Sequence, residues 1–174
     1  MGRLFLIILS LGGACLFHAA PGRADSVHIP MHLTTPDGAG ASVGTIQAVD
    51  SWFTTLATLL YDLSGLPPGE HGLTLHDNAD CGPAGGVPGM AAGAIYHPDG
   101  APVWEGRKRG EFPSITIEAD GTAKNSVGLK PPQFTDADLK VTVGELRGHA
   151  LVINEVATGR RIACGVIRFG DPEP

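Results

Sequence analysis

Leu66-Pro67-Pro68-Gly69-Glu70-His71-Gly72-Leu73-Thr74-Leu75-His76 is the stretch on which the reading of the fold turns. Its first four residues form a stop: two prolines and a glycine end any regular element that reaches them. After the stop the pattern has a period of two. His71, Leu73 and Leu75 fall on one face of an extended segment, and Gly72, Thr74 and His76 on the other. A strand is therefore expected over His71–His76, with a leucine-rich side and a polar side.

Working outward, the same grammar recurs. Upstream, Val27, Ile29, Met31 and Leu33 alternate with Ser26, His28, Pro30 and His32, and end at Thr35-Pro36-Asp37-Gly38. Val43 to Val49 follows, then Phe53 to Leu63, whose threonines favour strand over helix. Downstream, strands are expected at Ser114 to Glu118, Ala123 to Leu129, Leu139 to Val143, Ala150 to Asn154 and Arg161 to Phe169. Asp120-Gly121, Gly148 and Gly159 act as punctuation. Residues 77–113 are rich in Gly, Pro, Asn and Asp, with a short extended piece at Ala94 to Tyr96. A loop of that length in a compact domain is functional or stapled. About eight strands with irregular loops predict an all-β Greek-key barrel or sandwich.

The composition agrees. Among 174 residues there are 25 glycines and 14 prolines, and aromatics make up 6%, so Val, Ile, Leu and Ala must build the core. The formal net charge of -6 argues against nucleic acid or an anionic membrane surface as partner. The short run Arg107-Lys108-Arg109 is a solvated loop on this reading.

The N-terminus reads as an export signal over residues 1–24, followed by one domain over 25–174. Arg3 supplies the positive region, Leu4 to Phe17 the apolar stretch, and small residues follow. Cleavage is expected after Ala24, with Ala19 and Ala20 as alternatives. The apolar run is too short to span a bilayer. Cys15 lacks the upstream leucine of a lipobox, because Gly12 stands there. With the signal removed, Cys81 and Cys164 remain, and an exported chain with two cysteines most simply pairs them. Two free buried thiols are the other arrangement.

Four segments, in order, resemble the copper/zinc superoxide dismutase family of bacteria. They are Leu66–His76 against LPPGEHGFHxH, Ala91–Pro98 against SAGGHxxP, Gly110–Pro113 against GDLP, and Gly159–Ile167 against GxRxACGVI. The resemblance covers residues 26–168. It implies an eight-stranded Greek-key barrel, a Cys81–Cys164 disulfide, and periplasmic or secreted location. It admits a homodimer and names no other protein partner.

What the resemblance implies for chemistry differs. The family disproportionates superoxide at a copper held by four histidines, one of them bridging to a zinc held by two further histidines and an aspartate. At the copper positions this chain carries Thr74, His76, Ile95 and Asn154, so His76 is the one remnant ligand. At the zinc positions, Glu111 replaces the aspartate, Lys108 replaces a histidine, and no histidine lies between His97 and Glu111. Arg161 matches the arginine that attracts superoxide beside the copper, the one catalytic position retained; its other role is a hydrogen bond to the disulfide loop. His71 matches a histidine that packs beneath the copper site without ligating.

The expected function is accordingly an exported dismutase-like protein without normal dismutase activity. An active dismutase with an unorthodox site, or a periplasmic copper- or zinc-binding protein, are the alternatives. His97, two residues after Ile95, could join His76 and Glu111 in a substitute metal site. His28, Met31 and His32 offer a second candidate, although on a strand Met31 points away from the two histidines. No Ser-His-Asp arrangement, CxxC, HExxH or phosphate-cradling loop is present.

Overall fold

The computed structural model describes residues 26–50, 57–98, 108–124 and 142–168. The expected signal segment and its cleavage sites, the N-terminal end of the Phe53–Leu63 strand, residues 125–141, Arg107 and Phe169 lie outside the described residues.

The described strands are β1 (Ser26–Thr35), β2 (Gly38–Asp50), β3 (Ala57–Leu63), β4 (Gly69–His76), β5 (Glu111–Ile117), β6 (Ala123–Lys124), β7 (His149–Glu155) and β8 (Arg161–Ile167). They form one eight-stranded sheet in the order β5-β4-β7-β8-β1-β2-β3-β6. All of its pairings are antiparallel. The sheet curls into a nearly closed barrel with β5 and β6 at its two edges.

Alternation decides which side chains enter the barrel. On β1, Val27, Ile29 and Met31 are buried while His28, Pro30 and His32 face outward. On β4 and β7, Leu73, Leu75, Leu151 and Ile153 join the interior cluster. Branched aliphatics do most of the packing, as the scarcity of aromatics requires.

A second, smaller cluster lies on the outside of the barrel. Ala150, Val152 and Cys164 on β7 and β8 are covered there by Ala92 and Cys81 from the long loop after β4. The Cys81–Cys164 disulfide, with Cα atoms 5.7 Å apart and a sequence separation of 83, pins that loop to the barrel. Gly89 brings the loop backbone close to the barrel wall. Its φ is +71°, and a Cβ there would lie 2.9 Å from Thr34 Cγ2 and 3.3 Å from Arg161 Cβ.

One expected strand end is different. Thr142 and Val143, placed at the end of a strand over Leu139 to Val143, instead open a single helical turn, α1 (Val143–Leu146). The Thr142 hydroxyl accepts from the Glu145 amide, and the Glu145 carboxylate accepts from the Thr142 amide. This reciprocal capping satisfies amides that an extended segment at this spot would leave without partners, and it overrides the β-propensity of Val and Thr.

Candidate functional site

The polar face of β4 lies under the long loop, against the smaller outer cluster. Gly72, Thr74 and His76 alternate with the leucines that enter the barrel. β7 pairs Thr74 with Val152 and His76 with Ala150. Both Thr74 and His76 are buried, at 9% and 2% exposure. Buried polar side chains require partners, and these two have a continuous set.

The His76 ring is held at both nitrogens. Nδ1 lies 3.0 Å from the Gly93 carbonyl oxygen and Nε2 lies 2.9 Å from Thr74 Oγ1. A carbonyl only accepts, so Nδ1 carries the hydrogen and donates to Gly93. In the neutral ring Nε2 is then the acceptor, and the Thr74 hydroxyl donates to it. The hydroxyl in turn accepts from Asn154 Nδ2 at 2.7 Å. Asn154 to Thr74 to His76 to Gly93 is thus a single line of hydrogen bonds in which each donor has its acceptor. Burial pushes the His76 imidazole below its usual range, and the Arg161 charge adds to this. The hydrogen bond to Gly93 and the charge of Asp77 oppose it.

Ile95 completes the group. Its backbone forms an antiparallel bridge with His76, beside the bond from Tyr96 N to Leu75 O. The positions that the resemblance assigns to copper (Thr74, His76, Ile95 and Asn154) are therefore neighbours in space, although 80 residues separate the first from the last.

The other candidates sit apart from that line. His97 Nδ1 accepts from the Arg109 amide at 3.3 Å. The Glu111 carboxylate accepts from the Lys108 amide at 2.6 Å, while the Glu111 amide returns a bond to the Lys108 carbonyl at 3.0 Å. Glu111 thereby closes its own turn, and Lys108 is exposed. Gly110 in that turn is required by crowding: a Cβ would meet Leu75 O at 2.7 Å and Tyr96 O at 2.9 Å. Among the described residues, which include His76, His97 and Glu111, no group of three or more His, Cys, Asp or Glu is placed to hold a metal ion. His28 and His32 share the outer face of β1, and Met31 is fully buried on the inner face.

Arg161 is tied down. Its guanidinium donates to Gly89 O at 2.7 Å and Gly93 O at 2.6 Å, and Thr34 Oγ1 donates to its carbonyl at 2.6 Å. Of the two roles expected for Arg161, this is the hydrogen bond to the loop backbone. Gly93 O, which receives both His76 and Arg161, joins the barrel wall to the loop. His71 is buried on β4, with Nε2 donating to Pro67 O at 2.8 Å.

Two contacts had no place in the sequence reading. His149 lies against Tyr96, ring centroids 4.4 Å apart, with its Nδ1 3.0 Å from His76 O. Arg109 forms an ion pair with Glu145 at 2.6 Å, tying the β5 entry turn to α1. The Thr142-x-x-Glu145 spacing was the available signal for the second; a carboxylate already fixed by a cap is a ready partner for a guanidinium.

Comparison with known proteins agrees with this architecture. The family model for copper/zinc superoxide dismutase (SODC) matches residues 43–167. The Superoxide dismutase [Cu-Zn] of Escherichia coli (strain K12) is 32% identical over 182 residues, covering 97% of this chain and 100% of that protein. That of Haemophilus parainfluenzae is 28% identical over 191 residues, covering 94% and 97%. Among solved structures, the monomeric copper, zinc superoxide dismutase from Salmonella enterica superposes with a TM-score of 0.64 at 29% identity, covering 83% of this chain and 100% of that one. With a family model matched over residues 43–167, well over half of the chain, and relatives aligned over nearly their whole length, this chain belongs to the copper/zinc superoxide dismutase family.

Proposed function

We propose that this chain is an exported, periplasmic superoxide dismutase-like protein that has exchanged the family's copper centre for a hydrogen-bonded core, and that it acts as a binding or structural module without normal dismutase activity. The observation that carries this reading is the line Asn154–Thr74–His76–Gly93.

The donor set does not fit a copper or zinc ion. A threonine hydroxyl and a carboxamide are weak ligands for either metal, and an isoleucine offers nothing. The one imidazole has its Nε2 lone pair directed at Thr74 and its Nδ1 hydrogen at Gly93. To bind a metal it would have to give up one of these bonds within a buried site, and among the described residues no group of three or more His, Cys, Asp or Glu is placed to share the ion with it. On the zinc side, Glu111 is already occupied by its own turn. Export is supported by the apolar N-terminal stretch and by the disulfide, which persists in oxidising compartments.

The test is metal analysis of the chain refolded with copper and zinc, followed by a superoxide assay. The expected result is less than stoichiometric copper and a rate no higher than that of free-metal controls. A rate well above those controls that disappears in His76→Ala would overturn the proposal. Stoichiometric copper binding without activity, lost in His76→Ala, would replace it with the metal-handling reading.

A further inference from the structure

The hollow on the outer wall between β1 and β8 has a charge and shape that the dismutase-like core does not use. It measures about 480 Å³ and is lined by His28, Pro30 and His32 from one strand and Arg168 beyond the end of the other, with Cys81 and Cys164 at one end. Strand parity places the histidines there: the inner face of β1 takes Val27, Ile29 and Met31, which leaves the imidazoles outside.

Register then sets their neighbours. β1 and β8 pair His32 with Cys164 and Leu33 with Ala163. Extending that register brings Arg168 beside His28, and both line the hollow. On the other side, β2 offers His28 the neutral Gln47 and Pro30 the neutral Thr45. The residues lining the hollow include no carboxylate. Among the described residues, the side chains of His28, His32 and Arg168 make no hydrogen bond or ion pair. In a chain of formal net charge -6, a concave surface with only basic titratable side chains is an exception that calls for a counter-charge.

We propose that this hollow binds a small elongated oxyanion carrying two or more negative charges. Arg168 and His28 would take one anionic end, since a guanidinium fork binds carboxylate or phosphate with paired hydrogen bonds. His32 would take the other, about 12–13 Å away along the strand at the usual rise per residue. Pro30 and Val166 give the middle of the ligand an apolar floor. The disulfide lies at the His32 end, so an occupied hollow also shields Cys81, the more exposed of the two sulfur-bearing residues.

The test is calorimetric titration of the oxidised full chain with tripolyphosphate and, separately, with the dicarboxylate suberate. At about 20 mM salt and about pH 6 the expected dissociation constant is below about 1 mM for at least one of them, weakening as salt is added. Binding by tripolyphosphate alone assigns the site to phosphate-class anions, and by suberate alone to dicarboxylates. Arg168→Gln and His28→Gln should each weaken binding about fivefold or more, on the scale of a lost charge-assisted hydrogen bond, with unchanged thermal unfolding of the free protein. No saturable binding by either anion up to about 10 mM, or undiminished binding by the double variant, would overturn the proposal.

Discussion

The hydroxyl of Thr74 lies 2.9 Å from Nε2 of His76, and the two side chains share the outer face of one strand with a single residue between them. In a copper-binding member of the family the resemblance would put two imidazoles at these positions. Here the second group satisfies the first, and the arrangement is a closed polar core.

That relationship makes Thr74 the keystone of the line. Thr74→Val retains shape and β-branching but leaves Nε2 of His76 and Nδ2 of Asn154 without their shared partner. Leaving buried polar groups unsatisfied should lower unfolding free energy by about 1–3 kcal/mol, read from the denaturant midpoint. Asn154→Ala should cost less, and the two changes should be non-additive, because each removes part of one network.

The pH dependence of stability follows from the buried imidazole. His76 is held below its unfolded value, chiefly by burial. Between the folded and unfolded values the unfolded chain therefore binds the extra proton, and stability rises with pH across that window. This contribution is fully present above the ordinary imidazole value of 6.5 and is lost as pH falls from there toward the folded value. Denaturant unfolding from about pH 7.5 down to about pH 5 should show the loss, and His76→Gln, though less stable at neutral pH, should show a shallower slope.

Arg161 is predicted to hold the loop rather than to serve an anion. Arg161→Ala removes the donors to Gly89 O and Gly93 O. Amide exchange should accelerate at Ala92 and Gly93, whose N–H groups bond within the same turn, to Gly89 O and Met90 O. Strands β1 and β2 should keep their protection. Arg161→Lys should restore only part of it, because an ammonium lacks the fork that spans two carbonyls.

The disulfide provides the largest single effect. Closing 83 residues lowers the entropy of the unfolded chain enough to stabilise the fold by about 4 kcal/mol on the chain-entropy account. Cys81→Ser with Cys164→Ser should therefore drop Tm by roughly 10 °C, and the loss should be matched by reduction of the parent protein, as measured by calorimetry.

Sequence alone settled the parts of this protein that depend on local periodicity and residue chemistry. The alternation in Val27–Leu33 and His71–His76 put the correct side chains inside, because a strand turns each successive residue to the opposite face wherever it lies. Two cysteines made one cross-link, and the resemblance to the family marked positions 74, 95 and 154 as ones whose residue types could be weighed as ligands. The helical turn at Val143–Leu146 was not read from the sequence, whose branched residues there pointed toward a strand.

Apart from the loop hydrogen bond expected for Arg161, the hydrogen-bond partners were not legible, because they come together only when distant segments return over the barrel. His76 meets Gly93 across 17 residues, Arg161 meets the same carbonyl across 68, and Asn154 reaches Thr74 across 80. The resemblance could say only which residue types stand at the positions it assigns to copper. Only the tertiary structure decided that Thr74, His76 and Asn154 satisfy one another, since a buried donor finds its acceptor by position in the fold and not by spacing along the chain.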